Sequence, residues 1–189
     1  MDPIELSITI DRPREEIFEY LADIANHPEF TDHYLKDWRL TRTDSYGRGA
    51  GARYRTAAPR QRFSWGDMTF VVVEPPRRIV ALGRGGKYNR IKTFAEWKLE
   101  PSGGGTRVEF VFETEPALVT DRIIEAFGYR GWMRRKANKG LRRLRGILED
   151  NEGRGVRATV ARTPRPSLSS RIPRRRLSAF DALRRTQPR

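Results

Sequence analysis

The first strand announces itself by alternation. Ile4, Leu6, Ile8 and Ile10 are apolar, while Glu5, Ser7 and Thr9 between them are polar. A period of two buries one face of an extended segment. The period then changes. Ile17, Leu21 and Ile24 recur at helical spacing behind Pro13, Glu15 and Glu16, which suit a first helical turn, and predict a helix ending near Asn26-His27-Pro28. A second short helix is expected over residues 30–35. Beyond it the chain reads as strands over residues 38–43, 52–56, 63–74, 78–84, 91–100 and 106–115. They are separated by Gly47-Arg48-Gly49-Ala50-Gly51, Pro75-Pro76, Gly85-Gly86 and Gly103-Gly104-Gly105. Connections this short join antiparallel neighbours and exclude a doubly wound nucleotide-binding sheet.

Two strands declare a buried face: Thr93, Ala95, Trp97 and Leu99 on one, Val108, Phe110, Phe112 and Thr114 on the other. Strand 63–74 leaves its register open, because Trp65 and Met68 each have an inward register and Gly66 fits a bulge. After Pro116 a long helix is expected, with Ile123, Phe127, Ala137, Leu141, Leu144 and Leu148 on roughly one face. Its Gly128, Gly131 and Gly140 each cost about 1 kcal/mol against alanine, so packing must compensate; such glycines mark close approach or bending more often than a gap left for a ligand.

This order, with the segments Ile8-Thr9-Ile10-Asp11-Arg12-Pro13-Arg14-Glu15-Glu16-Ile17-Phe18, His27-Pro28-Glu29-Phe30 and Val72-Val73-Glu74-Pro75-Pro76-Arg77-Arg78-Ile79, resembles the START-like helix-grip (SRPBCC) superfamily. The likeness is greatest to its polyketide cyclase/dehydrase and lipid-transport branch, and it spans about residues 3–150. It implies an α+β helix-grip fold: a curved seven-stranded antiparallel sheet wrapped around a long C-terminal helix, with two short helices after strand one. It also implies an apolar cavity between sheet and helix that takes a hydrophobic small molecule. Members of the superfamily include carriers, sensors and cyclases, so fold does not choose among them.

The residues expected to line such a cavity are Tyr54, Trp65, Met68 and Thr93 from the strands, with Trp97, Phe110, Phe112 and Phe127. They mix large apolar groups with a few hydrogen-bonding ones, as ligand pockets do, though the same rings could simply fill a core. A cyclase would further need a general acid or base in a dry pocket. Asp67, between Gly66 and Met68, is the weak candidate, provided it points inward. Glu96 alternates with Lys92, Phe94 and Lys98 on the solvent face. His27 and His33 read as structural or exposed. Gly83-Arg84-Gly85-Gly86-Lys87 lacks phosphate-loop spacing and a following helix, and reads as a hairpin turn.

Composition narrows the rest. Without cysteine there is no disulfide, thiol catalysis or thiolate metal site, and two histidines leave little for zinc, so neither metal nor cofactor is expected. No uninterrupted apolar run exceeds the four residues of 70–73, which excludes a membrane-spanning helix. The N-terminus has no secretory h-region, and a cytoplasmic protein is expected. The 38 bases exceed the 24 acids by 14, and the excess is uneven. Residues 152–189 carry 11 Arg against Glu152 and Asp181, with prolines and serines and almost no aromatics. That composition predicts a ligand-binding domain over residues 1–151 and a basic disordered tail over 152–189. Within the tail, Leu177, Phe180 and Leu183 among arginines could meet an anionic membrane, and the arginines alone could meet nucleic acid. The basic run of the long helix, Arg130 to Arg145, reads as a solvated face. Three functions follow: carrier or sensor of a hydrophobic small molecule, lipid or polyketide-like; aromatase/cyclase-type enzyme; or tail-mediated association with membrane or nucleic acid. Oligomeric state is not encoded in any of these patterns.

Overall fold

The computed structural model describes residues 2–59, 63–118 and 128–160. Strands β1 (Ile4–Ile10), β2 (Leu35–Leu40), β3 (Gly51–Thr56) and β4 (Trp65–Glu74) are followed by β5 (Arg78–Gly85), β6 (Ile91–Ser102) and β7 (Gly105–Glu115). With β8 (Thr159–Val160) they form one sheet in the order β1-β7-β6-β5-β4-β3-β2-β8. The seven expected strands pair antiparallel. The eighth is an addition, two residues pairing parallel with Arg39 and Leu40 on β2. Helices α1 (Arg14–Ala22) and α2 (His27–Thr31) follow β1, and the long helix α3 (Arg130–Asp150) packs against the sheet. This is the helix-grip architecture.

Boundaries moved where side chains intervened. Helix α1 stops at Ala22, four residues before the expected end, because Asp23 turns extended, pairs with Tyr46 and accepts a hydrogen bond from the Ala25 N–H at 3.0 Å. Pro28 does not end a helix. It sits in the first turn of α2, where its missing N–H is harmless, so the second helix starts three residues earlier than expected. Strand β2 therefore begins at Leu35, with an irregularity between Lys36 and Arg39 and Asp37 at φ 55°. The bulge of β4 lies between Phe70 and Val72, not at Gly66.

Helix α3 is fixed to β1 at both ends. Arg130 donates to the Pro3 carbonyl at 3.2 Å, and Arg12 donates to the Leu148 and Glu149 carbonyls at 2.8 and 2.9 Å. The two elements thus run side by side in the same direction. The lengths agree: nine strand residues span ~30 Å and eighteen helix residues ~27 Å. Arg12 also satisfies carbonyls at the helix C-terminus, which otherwise lack partners, and its charge suits that end of the dipole.

Helix α2 holds α3 from the other side. Gly140 lets the helices approach, since a Cβ there would lie 3.4 Å from the Phe30 carbonyl oxygen. Arg143 bridges the gap, pairing with Asp32 and donating to the Glu29 carbonyl at 2.9 Å. His33 Nε2 donates to the Lys136 carbonyl at 3.1 Å, leaving Nδ1 to accept from Arg143 at 3.2 Å. Arg143 is accordingly a half-buried clamp and not part of a solvated face. Residues 116–118 are not helical, and the rest of the expected helical face before α3, with Ile123 and Phe127, lies outside the described residues.

After Asn151 the chain keeps to the domain. Ala158 is buried, its N–H donates to the Ala25 carbonyl at 2.8 Å, and Arg157 pairs with Asp23. Contacts of the described chain thus reach Val160, nine residues past the expected boundary. Residues 161–189, most of the expected tail, lie outside the described residues. Among the described residues no helix is long and apolar enough to cross a membrane.

Candidate ligand cavity

A cavity of about 830 Å³ lies between α3, α2 and one end of the sheet. Its existence follows from which residues the inward face carries. Residues 66, 83 and 85 are inward positions of β4 and β5, and all three are glycine, with Gly66 opposite Gly85 and Met68 opposite Gly83. Gly83 is obligatory, because a Cβ there would fall 2.0 Å from the Asp67 carbonyl oxygen. On β6 the inward positions at this end are Thr93 and Ala95, again small.

The walls are aromatic. Trp97 pairs with Phe110 across β6 and β7, their rings 5.2 Å apart, and Trp38 lies 5.0 Å from Tyr54. From α3, Trp132 and Met133 reach the same space, Trp132 stacking on Tyr129 at 5.8 Å. Of the residues expected from sequence, Tyr54, Met68, Thr93, Trp97, Phe110 and Phe112 line the cavity. Trp65 reaches only its rim. It stands 39% exposed on the outer face with the Arg53 guanidinium 5.4 Å over its ring, because Gly66, Met68 and Phe70 take the inward positions. Phe127 lies outside the described residues.

The same alternation corrects Asp67. It projects from the outer face, where its carboxylate accepts the Arg84 N–H at 2.9 Å, and it does not line the cavity. Glu96 also points outward, buried beneath an ion pair with Arg78 at 2.6 Å. The Gly83–Lys87 segment is the end of β5 and the start of the turn into β6, with no α-helix after it, as its missing phosphate-loop spacing implied.

Of the two histidines expected to be structural or exposed, His27 is structural and also faces the cavity. It is 1% exposed, lines the cavity and is ringed by Phe30, Trp97 and Phe70 at 5.2, 5.2 and 5.5 Å. Its Nε2 donates to the Leu21 carbonyl at 2.9 Å. Burial pushes its pKa down to about 4, so at neutral pH the imidazole is uncharged. Tyr34 and Tyr54 also face the cavity. Burial raises both phenols, and each is raised further by Tyr129, so both hydroxyls stay protonated at the cavity. The helical stripe through Met133 could have found α3's share. Nothing local marks His27 or Tyr34, which α2 delivers from a different part of the chain.

Charge is confined to the mouth. The described lining includes Arg84, Lys87, Arg90 and Arg135, and no Asp or Glu among the described residues lines the cavity. No cluster of three or more His, Asp or Glu among them could hold a metal ion.

The architecture is shared with solved structures of low sequence identity. The KanY protein is 15% identical, with TM-score 0.64 over 77% of this chain and 96% of its own. TTHA0849 from Thermus thermophilus is 14% identical, with TM-score 0.61 over 77% and 96%. DynU16, a protein in the dynemicin biosynthetic locus, is 14% identical, with TM-score 0.55 over 83% of this chain and 50% of its own. A search of curated proteins finds no match. A family model described as polyketide cyclase/dehydrase and lipid transport matches residues 1–149, and the chain belongs to that family, with its SRPBCC hydrophobic-ligand-binding fold.

Proposed function

We propose that the protein is a carrier or sensor that binds a hydrophobic small molecule, lipid or polyketide-like, in the cavity. The observation that carries this reading is the volume itself: about 830 Å³ walled by aromatic rings and neutral hydroxyls. Small-molecule sites occupy roughly 300–1,000 Å³ and have this mixture of apolar wall and few polar groups. The phenols of Tyr34 and Tyr54 stay protonated and offer donors to a carbonyl or hydroxyl oxygen of the ligand. Membership of a polyketide cyclase/dehydrase and lipid-transport family supports the same class of ligand.

The test is titration with 1-pyrenebutanol, an uncharged apolar fluorophore, followed by quenching of tryptophan emission. Saturable binding is expected, and Gly85→Leu should abolish it. A Cβ at Gly85 meets the Trp65 carbonyl oxygen at 3.4 Å and the Gly66 Cα at 3.7 Å, both ordinary contacts, so the added side chain occupies the cavity without forcing the sheet apart. No saturable binding by any apolar probe overturns the reading. Native mass spectrometry of protein from its own host then identifies the copurifying molecule.

A second reading, cyclase-type catalysis on a polyketide-like substrate, is favoured by one observation: a neutral imidazole, that of His27, on the cavity wall. Turnover lost in His27→Gln while pyrenebutanol still binds would support it. Association of the basic tail, residues 152–189, is a separate proposal, with nucleic acid through its arginines or with an anionic membrane through Leu177, Phe180 and Leu183 among them.

A further inference from the structure

We propose that the ligand is an amphipathic carboxylate, its apolar body in the cavity and its acid group at the mouth, between Lys87 on the β5–β6 turn and Arg135 on α3. This deepens the binding reading and rests on it. The bases that line the cavity all lie at its open end, and the described walls behind them are aromatic or hydroxylated, with no acid. A carboxylate carried inward would lose its hydration to groups that cannot neutralise it, which is costly. Turned outward, the same group meets two cations beside a low-dielectric space, where their attraction exceeds its value in open water.

The bases differ in what they can contribute. Arg84 occupies an outward position of β5 opposite Asp67, whose carboxylate accepts its backbone N–H. Lys87 is held at the rim by two rings, its Nζ 5.7 Å from the centre of Phe63 and 5.1 Å from that of Tyr88. Such contacts orient an ammonium without cancelling its charge. Arg135 is exposed on α3, and Arg90 adds a third base to the lining.

A general surplus of bases does not account for this arrangement. On the outer face of the same strands, bases are interleaved with acids: Arg78 with Glu96 at 2.6 Å, Lys92 with Glu115 at 3.1 Å, Arg107 with Glu109 at 3.0 Å. The described cavity mouth departs from that pattern, having bases only. A neutral ligand gains nothing from it, and a cationic one is repelled.

The test compares 1-pyrenebutyric acid with 1-pyrenebutanol on the full-length protein, since the two share one apolar body. The acid should bind about tenfold more tightly at low salt, and roughly 0.5 M salt should shrink that preference. In the double variant Lys87→Gln, Arg135→Gln the acid should lose about tenfold in affinity while the alcohol stays within about twofold, which also shows that the variant is folded. Arg42→Gln with Arg48→Gln removes the same charge beyond the other end of β2 and β3, and should leave the preference intact. Equal binding of acid and alcohol overturns the proposal. So does a preference that survives the mouth variant, or one that falls equally in the control. Failure of both probes to bind would instead overturn the cavity reading beneath it.

Discussion

The two ends of the grip are built on one backbone and filled differently. At the closed end the inward positions are Ile10, Phe70, Ile79, Leu99 and Val108, all fully buried, and α3 presents Leu144, Ile147 and Leu148 to them. At the open end the corresponding positions are Gly66, Gly83, Gly85, Thr93 and Ala95, facing Met133 and Ala137. The strand ladders β4–β5 and β5–β6 run through both ends. The cavity is therefore a matter of side-chain volume: where the sheet carries branched aliphatics the helix closes on it, and where it carries glycine space is left. Protein interiors are otherwise filled to crystal density, so the retained space is a specific product of those small residues.

The sharpest way to break this comparison is to truncate one side chain at each end. Leu144→Ala should cost about 4 kcal/mol in urea unfolding, because it removes transfer energy and opens a void in packed surroundings. Met133→Ala, beside space that already exists, should cost about 1–2 kcal/mol, chiefly the transfer part. Equal losses would mean the open end is packed as tightly as the closed one.

His27 sits where the two regions meet, and pH probes it. The unfolded histidine takes a proton near the ordinary value of 6.5, whereas the folded one resists until about pH 4. This group's contribution is therefore complete above about pH 6.5, is lost as pH falls from there toward 4, and changes no further below that. The expected loss is about 3 kcal/mol. His27→Gln, which retains an N–H for the Leu21 carbonyl, should flatten that slope in thermal melts. An unchanged slope would place His27 in contact with water.

Deletion at the C-terminus tests where the closed end finishes. Removal of residues 152–189 should cost roughly 1–2 kcal/mol, from the Ala158–Ala25 hydrogen bond, the Arg157–Asp23 pair and the burial of Ala158. We propose that the domain boundary follows Val160, so that removal of residues 161–189 leaves the melting temperature nearly unchanged. The smallest effect is expected for Gly85→Leu, within about 1 kcal/mol in stability while probe binding disappears. A large loss would mean that Gly85 serves the strand and not the cavity.

Much of this was legible along the chain. Alternation and turn residues reported seven strands because a half-buried strand must alternate and a tight reversal needs glycine or proline, and both are local requirements. Thr93, Trp97, Phe110 and Phe112 were placed on inward faces by the same alternation, and the structure sets them along the cavity. Tertiary packing decided the remainder. Asp67 could be placed only once Gly66 and Met68 had taken the inward register, since a shift of one residue exchanges the faces of a strand. His27 and Tyr34 became cavity residues because Arg143, His33 and Gly140 draw α2 against α3, contacts more than a hundred residues apart in sequence. The sequence by itself determined the elements and their apolar faces. Only the assembled structure decided which faces meet in contact and which meet across space, because that depends on the summed volume of side chains from distant segments.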